Sequence, residues 1–272
     1  MPAAARAMDT GPNLKGLLRR DRAIVVVGLA LATVLAWAYT IHLAGAMRGG
    51  MGTAMVMAEP HPAPWGATEL AATFVMWTIM MVAMMVPSAA PMILLFTSLA
   101  RRRRQRSDAA VYATMFVLGY LLVWTGFSLV ATLAQWALHD AALITPGMAT
   151  AVPAVGGLIL IAAGAYQWTP WKQSCLRQCR SPLGFITTEW REGCRGALVM
   201  GLRHGTFCLG CCWLLMALLF VAGVMNVAWV WVIAVFVLLE KLTPIGRTIS
   251  LAAGPALAFW GVWLLTRVGA VG

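Results

Sequence analysis

The run LAATFVMWTIMMVAMMVPSAAPMILLFTSL, Leu70 to Leu99, holds thirty residues without one Asp, Glu, Lys or Arg. A helix needs about 20 apolar residues to cross the hydrocarbon core of a bilayer. In lipid, only helices and closed barrels satisfy their backbone groups internally. The run is continuous rather than alternating, so it predicts a membrane helix and not a barrel strand. Outward from it, apolar windows recur at 23–44, 109–138, 150–168, 197–222, 225–241 and 247–267. The expectation is an all-α, polytopic membrane helix bundle of about seven transmembrane helices, a single domain over 23–272 preceded by a basic segment over 1–22. The chain is 61% hydrophobic and 11% charged, where a soluble domain carries about 25% charged residues. A soluble globular core is excluded on that ground.

The cations set the expected orientation. Threading seven spans with the N-terminus inside puts eighteen of the twenty Lys and Arg on inner segments, leaving Arg48 and Arg267 outside. Such a split follows the positive-inside rule and predicts a multi-pass inner (plasma) membrane protein with a cytoplasmic N-terminus. The run from Ala23 to Leu43 is long for a signal-peptide core and lacks a following small-x-small cleavage site, so it reads as a retained first helix. The net charge of +11 sits beside the spans. It therefore points to lipid headgroups, Arg101 to Arg104 above all, and not to nucleic acid. None of the six cysteines falls in an expected outer loop, which argues against a disulfide framework. The outer loop Gly45–Glu69 carries Met51, Met55, Met57 and His61.

The fifth span concentrates soft ligands. At about 100° per residue, Met200, His204, Cys208, Cys211 and Cys212 share an arc of roughly 120°. One buried Cys is ordinary packing material. Three with a His on one stripe point to metal binding or thiol chemistry, since a His within the membrane demands a partner. The second span adds Met80, Met81 and Met84, with Met76, Met80 and Met84 stacked at i, i+4, i+8. Counted from the expected helix starts, Met80 and Cys208 lie at similar depth near the midplane. Thiolate and thioether together favour Cu(I), with Zn as the second candidate. Pro87 suggests a bend in the second span and Gly254-Pro255 one in the seventh. The inner loop, Trp168 to Gly196, carries Cys175 and Cys179, which share a face if that stretch is helical. Lys172, Arg177 and Arg180 beside them are expected to favour thiolate. Glu240 is expected to pair with Lys241, Arg203 or Arg247.

Several blocks resemble a known bacterial family. They are Trp77-Thr-Ile-Met80-Met81-Val-Ala-Met84-Met85-Val-Pro87, the Tyr166 to Pro182 block with Cys175 and Cys179, and His204-Gly205-x-x-Cys208-x-Gly210-Cys211-Cys212-Trp213-x-x-Met216. Gly223-x-Met225-Asn226-x-x-Trp229 and Glu240-Lys241 continue the likeness. Over roughly residues 70–250 the chain resembles DUF2182, described as predicted metal-binding integral membrane proteins. The resemblance implies metal binding.

The residues thus predict a membrane protein that binds and hands on or translocates a soft transition metal. Cys208, Cys211, Cys212 and His204 would be the primary ligands, with Met80, Met81 and Met84 as thioether partners between the second and fifth spans. Cys175 and Cys179 would form an inner delivery site. Membrane lipid, the metal ion and a metallochaperone or metalloenzyme are the expected partners. No Gly-x4-Gly-Lys motif and no phosphorylated-Asp motif is present, which argues against ATP-driven pumping by this chain, and the reading leans away from an enzyme. Two rivals stand beside it. One is a thiol-disulfide electron carrier using Cys208/Cys211 and Cys175/Cys179, and the other is a non-catalytic accessory subunit.

Overall fold

The computed structural model describes residues 14–54, 65–103, 109–141, 143 and 153–269. Among them the chain forms nine helices and no strand: α1 Leu14–Ala54, α2 Ala67–Arg103, α3 Ala109–Asp140, α4 Pro153–Tyr166, α5 Pro170–Arg180, α6 Pro182–Glu189, α7 Gly193–Ala222, α8 Val227–Leu242 and α9 Gly246–Gly269. Every expected apolar window has become a helix. Five of these, α1, α2, α3, α7 and α9, contain stretches long and apolar enough to cross a membrane. The 14 residues of α4 and 16 of α8 are shorter than a full span, so length alone supports five crossings and not seven. Met55, Met57 and His61 of the expected outer loop lie outside the described residues, as do Arg104 and most of the basic N-terminal segment.

Helix ends follow local chemistry. The inner loop folds into two short helices, each opened by a proline at its first position, Pro170 and Pro182, where no N–H is needed. Thr169 Oγ1 accepts from the Lys172 backbone N–H at 3.3 Å and caps α5. Gly223, with φ 92°, ends α7 in a conformation that glycine adopts without steric cost. The Asn226 N–H then donates to Gly223 O at 3.0 Å and turns the chain into α8. Pro87 and Pro91 lie inside α2, and Pro255 inside α9, without ending either helix.

Between lipid-exposed helices, association rests on close packing, so small residues mark the contacts. A Cβ on Gly201 would stand 2.0 Å from Phe116 O, and one on Gly119 2.2 Å from Leu198 O. No side chain fits there, and α3 lies directly on α7. The α4–α9 pair meets the same way at Gly164, where a Cβ would be 2.6 Å from Gly254 O. The most buried span windows belong to α2 (61%) and α7 (50%), against 11% for α1, which lies at the periphery against α2. The backbones of α2 and α7 do not pack along their length. Side chains fill the space between them, and that space is the centre of the bundle.

Candidate metal centre

Cys208 stands midway along α7 and is 1% exposed. The Lys241 ammonium, from the end of α8, donates to Cys208 Sγ at 2.9 Å and to Ser88 Oγ of α2 at 3.2 Å. The Tyr120 hydroxyl of α3 lies 3.1 Å from Cys208 Sγ and donates to Met85 O of α2, also at 3.1 Å. Four helices therefore converge on one thiol. Cys211 and Cys212 turn their thiols back onto Cys208 O, at 3.1 and 2.9 Å. All six cysteines are free.

The bridges fix how α2 and α7 run past each other. Trp77 packs on Phe220 with ring centroids 5.3 Å apart, and Ser88 and Cys208 share the Lys241 ammonium. In that antiparallel register Met85 and Met84 lie level with Cys211 and Cys212. Met80 lies one turn further out, level with Met216. Met80, Met81, Met84, Met85 and Met216 are each at most 1% exposed. Sulfur thus continues outward from the thiols as thioether. Depth counted from expected helix starts misplaces Met80, because in this register α2, 37 residues against the 30 of α7, starts about two turns beyond the far end of α7.

The inner loop helix does more than the sequence suggested. The helix α5 packs on α7, and a Cβ on Gly210 would stand 2.8 Å from Cys175 Sγ. Cys179 reaches the central thiols themselves. Its hydrogen bonds with Cys208 and Cys211, together with burial, push its thiol well above the ordinary range. Burial, with the neighbouring Cys211, also pushes Cys175 up. This overturns the expectation that nearby cations favour thiolate on α5, because those cations are engaged elsewhere. Lys172 Nζ bonds Glu240 Oε1 at 2.7 Å and Cys211 O at 2.9 Å. Arg177 donates to Ser174 Oγ at 3.1 Å, and Arg180 donates to Thr243 O and Pro244 O at 2.8 Å.

Glu240 therefore pairs with Lys172, not with the three cations expected for it, and Arg203 pairs with Glu189. Lys172 and Lys241 are 0% and 5% exposed, so both are core residues and not lipid anchors. His204 sits one turn inward of Cys208 in an aromatic box, with ring centroids 5.3 Å from Phe185, 5.8 Å from Tyr120 and 5.9 Å from Phe116. Its Nδ1 is buried with no hydrogen-bond partner among the described residues. Among those residues, no three His, Cys, Asp or Glu side chains already stand in an arrangement that could hold a metal ion.

Sequence reading missed Lys241, Ser88 and Tyr120 as neighbours of Cys208, and Lys172 as the partner of Glu240. One signal was available. Adjacent residues on a helix do not face each other, so Glu240 and Lys241 had to seek separate partners. A family model described as PpoB2, copper chaperone, matches residues 74–264, which takes in every side chain placed at this centre. No curated protein and no solved structure matches the chain.

Proposed function

The chain belongs to this copper-chaperone family, and from that premise we propose that it binds Cu(I) through sulfur at the centre of the bundle and hands it on. The observation that carries the reading is the crowding of Cys208, Cys211 and Cys212 in a buried cluster, with Cys179 of α5 packed against it, that continues outward as methionine. Thiolate and thioether are soft ligands, and Cu(I) is the first-row ion that prefers them. Cys208 is the first ligand, with Cys179 or Cys211 as its second. Cys212, Met84 and Met85 stand level with them, and Met80, Met81 and Met216 extend the lane outward. His204, with an unpaired nitrogen one turn inward, is the nearest non-sulfur donor. Cys175 lies beside the path, level with Gly210. Zn(II) is less suited, because it takes four ligands in a tetrahedron.

We place the protein in the inner (plasma) membrane with its N-terminus in the cytoplasm. With Lys172 and Lys241 buried, sixteen of the eighteen inner cations remain as orientation signals. On this reading α4 and α8 also cross. Copper would then pass between an inner donor and a metallochaperone or metalloenzyme.

Protein purified in detergent and loaded with Cu(I) should hold about one copper per chain, and Cys208→Ser should lose most of it. A Cys208→Ser variant that keeps full copper content overturns the site. A thiol-disulfide carrier is the second reading, favoured by the contact of Cys179 with Cys208 and Cys211. It predicts no copper and a Cys179-containing disulfide after mild oxidation with a small disulfide reagent.

A further inference from the structure

Five ionisable side chains other than thiols are buried around the site among the described residues: Tyr120, Lys172, His204, Glu240 and Lys241. Tyr120 donates its hydroxyl proton to Met85 O at 3.1 Å. Lys172 and Glu240 neutralise each other at 2.7 Å. His204 carries no obligatory charge. Lys241 has no carboxylate. Its two partners are a serine hydroxyl at 3.2 Å and the sulfur of Cys208 at 2.9 Å. A buried ammonium is costly unless an anion stands beside it. Among the described residues, the anion-forming group that the Lys241 ammonium hydrogen-bonds is the sulfur that the proposed function makes the first copper ligand.

We infer that Lys241 is a positioning residue for the cargo: its fixed positive charge completes a neutral unit with a monovalent ion and two thiolates, and thereby selects Cu(I) over divalent metals. The inference rests on the copper-binding reading above. The charge count is direct. Cu(I) on Cys208 and one neighbouring thiolate carries net −1, and Lys241 brings the unit to zero. Zn(II) on the same two thiolates is neutral by itself and leaves Lys241 uncompensated in a dry core. A third thiolate would rebalance Zn(II). Among the described residues, however, no three His, Cys, Asp or Glu side chains, the Cys179, Cys208 and Cys211 thiols included, stand in an arrangement that could hold a metal ion. Discrimination therefore lies in the buried charge as well as in the softness of sulfur. A buried charge of this kind is screened far less than one in water.

The test is competitive loading of the detergent-purified full chain with Cu(I) and Zn(II) against chelators of known affinity. Wild type should favour Cu(I). Lys241→Met keeps the stem length and removes the charge. It should lower Cu(I) affinity roughly tenfold or more, and leave Zn(II) unchanged or improved. Lys241→Arg should restore the Cu(I) preference. If Lys241→Met lowers both metals equally, or leaves the Cu(I):Zn(II) ratio as in wild type, Lys241 is only structural and the inference falls. Should Lys241→Met fail to fold, Lys241→Gln, which removes the charge but keeps a donor toward Ser88 and Cys208, is read by the same Cu(I):Zn(II) ratio, and a wild-type chain that prefers Zn(II) also overturns the inference. A wild type that binds neither metal sinks the copper reading itself, which keeps the two failures distinct.

Discussion

Around Cys208 the core holds Lys172, Glu240, Lys241 and His204. A few turns outward, around Met80, it holds Trp77, Met81, Met216 and Phe220. Both regions lie at the interface of α2 and α7, and both are closed to solvent. They differ in what burial costs them. The outer region is apolar and satisfies its few polar groups simply: Trp77 Nε1 donates to Gln135 Oε1 of α3 at 2.7 Å. The inner region carries charges that packing alone would never require. Intramembrane ionisable groups are expensive and mark function. Lys172 at Cys211 O and Lys241 at Cys208 Sγ stand level with the thiols, so a soft ion bound there would have charge beside it and thioether on its outer side.

The sharpest way to break the comparison is to remove charge balance from the inner region. Glu240→Gln leaves the Lys172 ammonium, 0% exposed, without its counter-ion. Leaving one member of a buried pair unpaired costs about 3–5 kcal/mol. The expected outcome is a large fall in thermal stability in detergent, or loss of folded protein in the membrane. The conservative double variant Lys172→Met with Glu240→Gln should recover much of that stability, because it removes both charges. A Glu240→Gln chain as stable as wild type would mean that the inner region is wetter than its burial implies.

The outer region should be far more tolerant. Met80→Leu is nearly volume-conserving and should cost less than about 1.5 kcal/mol. If thioether sulfur serves copper, the same variant should still slow the release of copper toward the outer side while the copper bound at Cys208 stays in place. Time-resolved transfer to a chelator on the outer face of proteoliposomes reads this directly. Unchanged release would make Met80 packing material, which is what an isolated methionine stripe usually is.

The helices were legible in the sequence because apolar length is a local property. The approximate core was legible for a related reason: the Met and Cys stripes have a helical period, and the structure buries both. Register was not legible. It depends on how far one helix overhangs its neighbour, and each turn of overhang moves a residue by about 5 Å. The partners of charges were not legible either. Glu240 and Lys241 are neighbours in sequence, yet their side chains diverge by about 100°, one toward α5 and the other toward α7 and α2. Cys179 was assigned to a separate inner site because nothing in a Cys-x3-Cys spacing says which helix lies opposite. Its docking on Cys208 follows from α5 lying flat against α7, a tertiary fact.

The smallest expected effect tests that docking. Burial pushes the Cys175 thiol up, so at a given pH less of it is thiolate than in an unhindered cysteine. The thiolate is the reactive form. Alkylation of Cys175 with iodoacetamide, followed by peptide mass spectrometry between about pH 7 and 10, should therefore give a rate profile that rises above the ordinary thiol range. Exposed Cys194 provides the internal clock for reagent access. The sign for stability is the same. A thiol raised in the folded state stabilises below its unfolded pKa, and that contribution fades as pH climbs and the unfolded chain ionises first. If α5 were instead loosely held, Lys172, Arg177 and Arg180 would be freed to act on the thiols. The profile would then shift to lower pH, as the bare sequence suggested, and the contact that brings Cys179 to the central sulfurs would be lost with it.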